Sequence, residues 1–136
     1  MKNNYYLRTA FLLVVVLCAA ALVPRVAGSV LSGGASPAPV REINLVARDM
    51  TFYLEGQNTP NPTLHARPGE RIRLVLRNGD PGMTHDFTIQ SWSVATRQLK
   101  GKGQDSVEFT VPDTRGTHAY SCTPHSAMMG GIVEVR

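Results

Sequence analysis

Residues 71–78 read RIRLVLRN. Ile72, Leu74 and Leu76 fall on one side of this run, and Arg71, Arg73 and Arg77 on the other. A period of two is what a half-buried strand presents and a helix does not. The same alternation recurs on both sides of it. In REINLVAR (41–48), Ile43, Leu45 and Ala47 share a face. In HDFTIQ (85–90), His85, Phe87 and Ile89 face one way and Asp86, Thr88 and Gln90 the other. Val107, Phe109 and Val111 alternate through DSVEFTVP (105–112), His118, Tyr120 and Cys122 through THAYSC (117–122), and GGIVEVR (130–136) closes the chain. Turn residues separate these runs: Asn61-Pro62, Arg67-Pro68-Gly69, Asn78-Gly79-Asp80-Pro81-Gly82, Gly101-Lys102-Gly103, and Pro112-Asp113 with Gly116. No stretch after Val40 carries a capped apolar run at helical spacing. About seven short strands between Val40 and Arg136 predict an all-β domain, a sandwich or Greek-key barrel.

Ahead of this domain the composition changes. Lys2 and Arg8 precede an apolar run over residues 10–23, which stops at Pro24-Arg25 and exits through Val26-Ala27-Gly28. A basic start, a short apolar stretch and small residues at the exit predict a secretory signal peptide over residues 1–28. Left uncleaved, residues 10–23 would instead be an N-terminal membrane tether. Leu17 is too bulky for a lipoprotein box at Cys18. Residues 29–39 are rich in Gly, Ser, Ala and Pro and predict a flexible linker, with the folded domain over 40–136. The domain is therefore expected outside the cytoplasm, in a periplasmic or other extracytoplasmic space.

The formal charge of +4 rests on 14 basic and 10 acidic residues. Lys2, Arg8 and Arg25 lie in or beside the export segment, and setting them aside leaves 11 basic residues against 10 acidic ones. A near-neutral domain with dispersed arginines has no field for nucleic acid, and none is expected as a partner.

Outside the export segment Cys122 is the one cysteine, so the domain has no internal disulfide. A lone thiol in an oxidising compartment needs burial or a ligand. Its neighbourhood supplies a reason. Residues 120–135, YSCTPHSAMMGGIVEV, bring a thiol, an imidazole and two thioethers together within eight residues. Soft sulfur with imidazole suits copper, and blue-copper sites use two His, one Cys and a weak axial Met. The second imidazole has to come from upstream. Alternation turns both His85 and Cys122 inward, where a polar group needs a partner.

The pattern Gly116-x-x-x-Tyr120-x-Cys122-x-Pro124-His125, followed by the Met-Met-Gly-Gly run, resembles the ligand loop of the cupredoxins, and most of all plastocyanin and amicyanin. Pro81-Gly82-Met83-Thr84-His85 is similar to the segment that carries that family's first His. The resemblance spans Val40 to Arg136. It implies a cupredoxin-like Greek-key β-sandwich or barrel of about seven or eight strands. It also implies one type 1 copper ion on His85, Cys122 and His125, with Met128 as axial ligand and Met129 as the alternative. Where the family often has Asn after the first His, this chain has Asp86. Its carboxylate is expected to accept a bond from Thr123 and to favour Cu(II). His118 stands where the family commonly has an aromatic residue and is expected to be a packed His with one nitrogen satisfied. A four-ligand site leaves no open position for a substrate, so no catalytic residue is expected. The implied function is an exported blue copper protein that shuttles single electrons. The alternative is a periplasmic copper carrier or chaperone. Redox donor and acceptor proteins would dock transiently on an apolar rim of Met83, Pro124 and Ala127, and the domain is expected to be a monomer.

Overall fold

The computed structural model describes residues 38–136. The expected export segment lies outside the described residues, and so does the linker except for its last two positions. Among the described residues no helix is long and apolar enough to cross a membrane.

Among the described residues eleven strands follow one another: β1 (Val40–Arg48), β2 (Thr51–Leu54), β3 (Leu64–Ala66), β4 (Arg71–Asn78), β5 (Thr84–His85), β6 (Thr88–Ile89), β7 (Val94–Ala95), β8 (Leu99–Lys100), β9 (Gly103–Thr110), β10 (Gly116–Ser121) and β11 (Gly130–Val135). Single 3-10 turns lie at Gln90–Trp92 and Thr123–His125. One sheet has the order β2-β1-β4-β9 and the other β3-β11-β10-β6-β7, with β5 and β8 forming a separate two-stranded ribbon. The architecture is the β-sandwich that the alternation predicted. In the RIRLVLRN strand, Ile72, Leu74 and Leu76 are all buried, while Arg73 and Arg77 are exposed. Its neighbours are β1 in parallel register, with Ile43 opposite Leu74, and β9 antiparallel, with Val107 opposite Leu74.

The two sheets meet through aromatic rings. Phe52 of the first sheet makes edge-on contacts with Phe87 at 6.1 Å and Tyr120 at 5.6 Å, and Phe87 stacks on Tyr120 at 5.2 Å. Each such pair adds about 0.5–1.5 kcal/mol beyond the area it buries. The Tyr120 hydroxyl donates to the Pro62 carbonyl at 2.6 Å, which removes the cost of burying it.

Three expectations are corrected. The strand count is higher, because two- to four-residue strands such as β2, β3, β7 and β8 are too short to show a period. Val107 and Phe109 are only partly buried and flank the core rather than fill it. Most important for the site, HDFTIQ is not one strand. Its first residue pairs with β8, and β6 pairs with β7 and β10. Between them the Phe87 N–H donates to Thr96 Oγ1 at 2.9 Å, and the Phe87 carbonyl accepts from the Thr96 N–H at 3.0 Å. This bridge carries the chain from the ribbon into the second sheet. Consequently His85, Asp86 and Phe87 are all buried in succession, and Asp86 does not face solvent as strict alternation requires.

Candidate metal centre

The loop that delivers His85 is built from the end of β4. Asn78 continues the inward positions 72, 74 and 76 and is 2% exposed. Its amide donates to the carbonyls of Met83 and Leu99, both at 2.9 Å, and its Oδ1 accepts the Asp80 N–H at 2.8 Å. A buried amide with these partners costs little and fixes the turn across residues 79–83. His85 follows with its ring fully buried. One ring nitrogen, Nδ1, faces Cys122 Sγ at 3.6 Å, and the other, Nε2, lies 3.1 Å from Asp80 Oδ2.

Cys122 comes from the end of β10 and is buried without a disulfide partner. The segment after it turns back on itself at once. Pro124 sits in the first turn of the 3-10 segment, where its missing N–H is not needed. The His125 N–H donates to the Cys122 carbonyl at 3.1 Å, and the N–H groups of Met128 and Met129 both donate to the His125 carbonyl, at 3.0 and 2.9 Å. The Cys122 N–H donates in turn to the Met129 carbonyl at 2.9 Å, which closes the loop at its neck. This folding places His125 Nδ1 3.5 Å from Cys122 Sγ.

The ligand atoms of His85, Cys122 and His125 all lie within 4.8 Å of one another. Nitrogen and sulfur ligands bound at about 2.0 and 2.3 Å around a trigonal ion stand roughly 3.7 Å apart. Separations of 3.5 and 3.6 Å to one sulfur fit a single ion between them. One thiol and two imidazoles are the donor set of copper. Burial pushes the Cys122 thiol pKa up, and the nearby Asp86 charge adds to this, while the backbone amides of Asp86 and His125 oppose it. A cation at the sulfur is what turns such a thiol into a thiolate.

Asp86 ties this loop to the strand of the first His. The Thr123 N–H donates to its Oδ1 at 2.6 Å, and Gln98 Nε2 donates to its Oδ2 at 3.3 Å. The Thr123 and Thr88 hydroxyls meet at 3.3 Å. His118 packs its ring against Trp92 at 4.9 Å, with Nε2 3.1 Å from the Thr114 carbonyl.

The two methionines part company. Met128, the expected axial ligand, is 64% exposed, whereas Met129 is 0% exposed and joins the core. The resemblance to the family's ligand loop favoured Met128. The tight turn closed on the His125 carbonyl leaves residue 128 on its outer side. Pro124, Ala127 and Met128 are exposed and His125 partly exposed within one loop, and Met83 is exposed in the segment ahead of β5. Asp80, Asn78 and Gln98 went unnoticed in the sequence. Only Asn78 carried a signal, as a polar residue on the apolar face of a strand.

The profile of the copper-binding proteins of the plastocyanin/azurin family matches residues 63–136. The chain belongs to this family: it is a cupredoxin, and its cofactor is copper. Among solved structures, the chain is similar to auracyanin A, a "blue" copper protein from the green thermophilic photosynthetic bacterium Chloroflexus aurantiacus, at 14% identity and a TM-score of 0.54, covering 72% of this chain and 100% of that one. Reduced rusticyanin is 19% identical with a TM-score of 0.51, over 74% of this chain and 82% of that one. The McoA multicopper oxidase of the hyperthermophile Aquifex aeolicus is 15% identical with a TM-score of 0.57, over 71% of this chain but 26% of the oxidase. At these identities the likeness is one of fold. No curated protein sequence is significantly similar to the chain.

Proposed function

We propose that the chain is an exported one-electron carrier. The observation that carries this reading is the placement of the three ligands. His85 and Cys122 are buried, and His125 alone is partly exposed, in a loop whose Pro124, Ala127 and Met128 are exposed as well. Copper bound there would supply a Cu(I)/Cu(II) couple and would be held by His85, Cys122 and His125. Met129, buried in the core after this loop, would be the weaker fourth donor in this reading. His85 is held in the β5–β8 ribbon and Cys122 at the end of β10, so the ligand cage would move little when its charge changes. The partly exposed His125 ring is the route by which the electron enters or leaves, and partner proteins dock on Met83, Pro124, Ala127 and Met128. The sequence contains no His-x-His pair with which to build the additional coppers of an oxidase, which supports a carrier rather than an enzyme. Export through residues 1–28 would place the carrier in the periplasm or an equivalent space, as a monomer.

Adding Cu(II) to the purified metal-free protein tests this. An intense visible band from the thiolate–copper bond and a reversible one-electron voltammetric wave are expected. Cys122→Ser should abolish the band while leaving the β-sheet circular dichroism unchanged. Rapid release of the metal to a mild chelator, with no reversible wave, would favour the copper-carrier reading instead.

A further inference from the structure

We propose that Asp80 is a positioning residue of the metal centre, which holds His85 in one tautomer and biases the site toward Cu(II). The inference rests on the copper reading above and adds to it a residue outside the ligand loop. The His85 ring has two nitrogens and both are committed. Nδ1 faces the Cys122 sulfur at 3.6 Å, and Nε2 faces Asp80 Oδ2 at 3.1 Å. A carboxylate only accepts, so the proton belongs on Nε2 and the lone pair on Nδ1, toward Cys122, where an ion would bind. This pair is unlike a surface ion pair, whose effect is small. The His85 side chain is 0% exposed and that of Asp80 16%.

The carboxylate is itself fixed. Its second oxygen, Oδ1, accepts the Asp49 N–H at 3.2 Å, and its own backbone N–H donates to Asn78 Oδ1 at 2.8 Å. Asp49 and Met50 form the two-residue turn between β1 and β2, both with left-handed φ, 51° and 57°. That conformation is the one a tight hairpin requires, and here it aims an amide at Asp80. The distant β1–β2 turn thus holds one oxygen of this carboxylate, and the other faces the ring of His85. An anionic acceptor behind a ligating imidazole strengthens it as a donor, and a stronger donor set stabilises Cu(II) more than Cu(I).

The test uses the full chain. In the metal-free protein, nitrogen-15 NMR of His85 should show the Nε2–H form; a dominant Nδ1–H form would overturn the proposal without any variant being made. In the copper-loaded protein, Asp80→Asn keeps the shape and removes the charge. Outer partners of this kind change metal affinity about 10- to 100-fold. The lower figure, applied to Cu(II) over Cu(I), corresponds to a rise of about 59 mV in the one-electron potential at unchanged band intensity. An unchanged potential would count against Asp80. Asp80→Leu removes the acceptor altogether and should also lose the single tautomer. If the wild-type protein showed no thiolate–copper band, the copper reading would fall, whereas the tautomer measurement would still judge the Asp80–His85 pair alone.

Discussion

Met129 and Met128 are adjacent, yet their environments predict opposite behaviour. Met129 is buried in the core and Met128 is 64% exposed. Met129→Leu should preserve the apolar contacts at a cost below about 1.5 kcal/mol. It should also remove a weak thioether donor, which shifts the visible spectrum and raises the potential by an amount on the order of tens of mV. Met128→Leu should leave both unchanged. If the responses were reversed, Met128 would be the axial ligand after all, and its exposure would have to change on metal binding. Asp86 offers a second test at this scale. Its Oδ1 accepts the Thr123 N–H at 2.6 Å, so Asp86→Asn keeps an acceptor for the ligand loop but removes a negative charge next to Cys122. Voltammetry should show a higher potential for the variant, and a lower or equal one would refute the charge argument.

At the scale of elements, the ligand loop depends on what β11 and β10 do beside it. A Cβ on Gly131 would come within 2.6 Å of the Tyr120 hydroxyl and 2.9 Å of the Asn61 carbonyl. Gly131→Ala should therefore destabilise the fold by about 1–3 kcal/mol, an overpacking cost, read as a lower urea midpoint. A midpoint equal to wild type would mean that the Tyr120 ring can yield. Asp105 clamps the segment after β7 onto β9: it accepts the Arg97 N–H at 2.8 Å and the Arg97 guanidinium at 3.0 and 3.1 Å. The Arg97 N–H, then its guanidinium, hold the Asp105 pKa below its ordinary 3.8. A depressed carboxylate pKa contributes stability that is complete above the unfolded value and lost as pH falls through the folded one. Because Arg97 is largely exposed, the effect is discounted to about 1 kcal/mol. Asp105→Asn should then lower the melting temperature by about 4–8 °C at neutral pH, with the gap closing at pH values well below 3.8. A gap that stayed constant with pH would assign the effect to shape rather than charge. Much of this scaffold was legible beforehand, because strands as long as β1, β4, β9 and β10 display their period. What was not legible depends on contacts between distant segments. Thr96 bends the HDFTIQ run into two sheets, and the Asp49-Met50 turn carries no glycine to announce a hairpin. The ligands were readable because Cys, His and Met are scarce residues with specific chemistry. Asp80 was not, since an Asp between Gly79 and Pro81 reads first as an ordinary turn residue.

For the molecule as a whole, charge and surface shape make a joint prediction about partners. With 11 basic and 10 acidic residues from Arg41 onward, the domain carries almost no net charge. Six arginine–carboxylate ion pairs consume much of the local charge among the described residues. Long-range steering, which raises association rates many-fold when fields are strong, has little to act on here. The surface offers instead exposed apolar residues: Pro124, Ala127 and Met128, the last at 64%, in the His125 loop, and Met83 at 40% ahead of β5. A patch of this kind suits the small, short-lived interfaces of redox encounters, below about 1,200 Å². Two outcomes follow for electron exchange with a physiological partner. The second-order rate constant should change by less than about threefold between low and physiological salt, because exposed charges are screened over about 8–10 Å and few are there to screen. Replacing Ala127 with Glu should slow the exchange by about tenfold or more, the cost of desolvating a charge at the contact. The visible band and the potential should stay in place, since Ala127 is not among the ligands. Stopped-flow measurements on the two proteins would separate these effects. A steep salt dependence, or an Ala127→Glu variant that exchanges electrons at the wild-type rate, would move the docking face away from His125 and toward the arginine-bearing face of the first sheet.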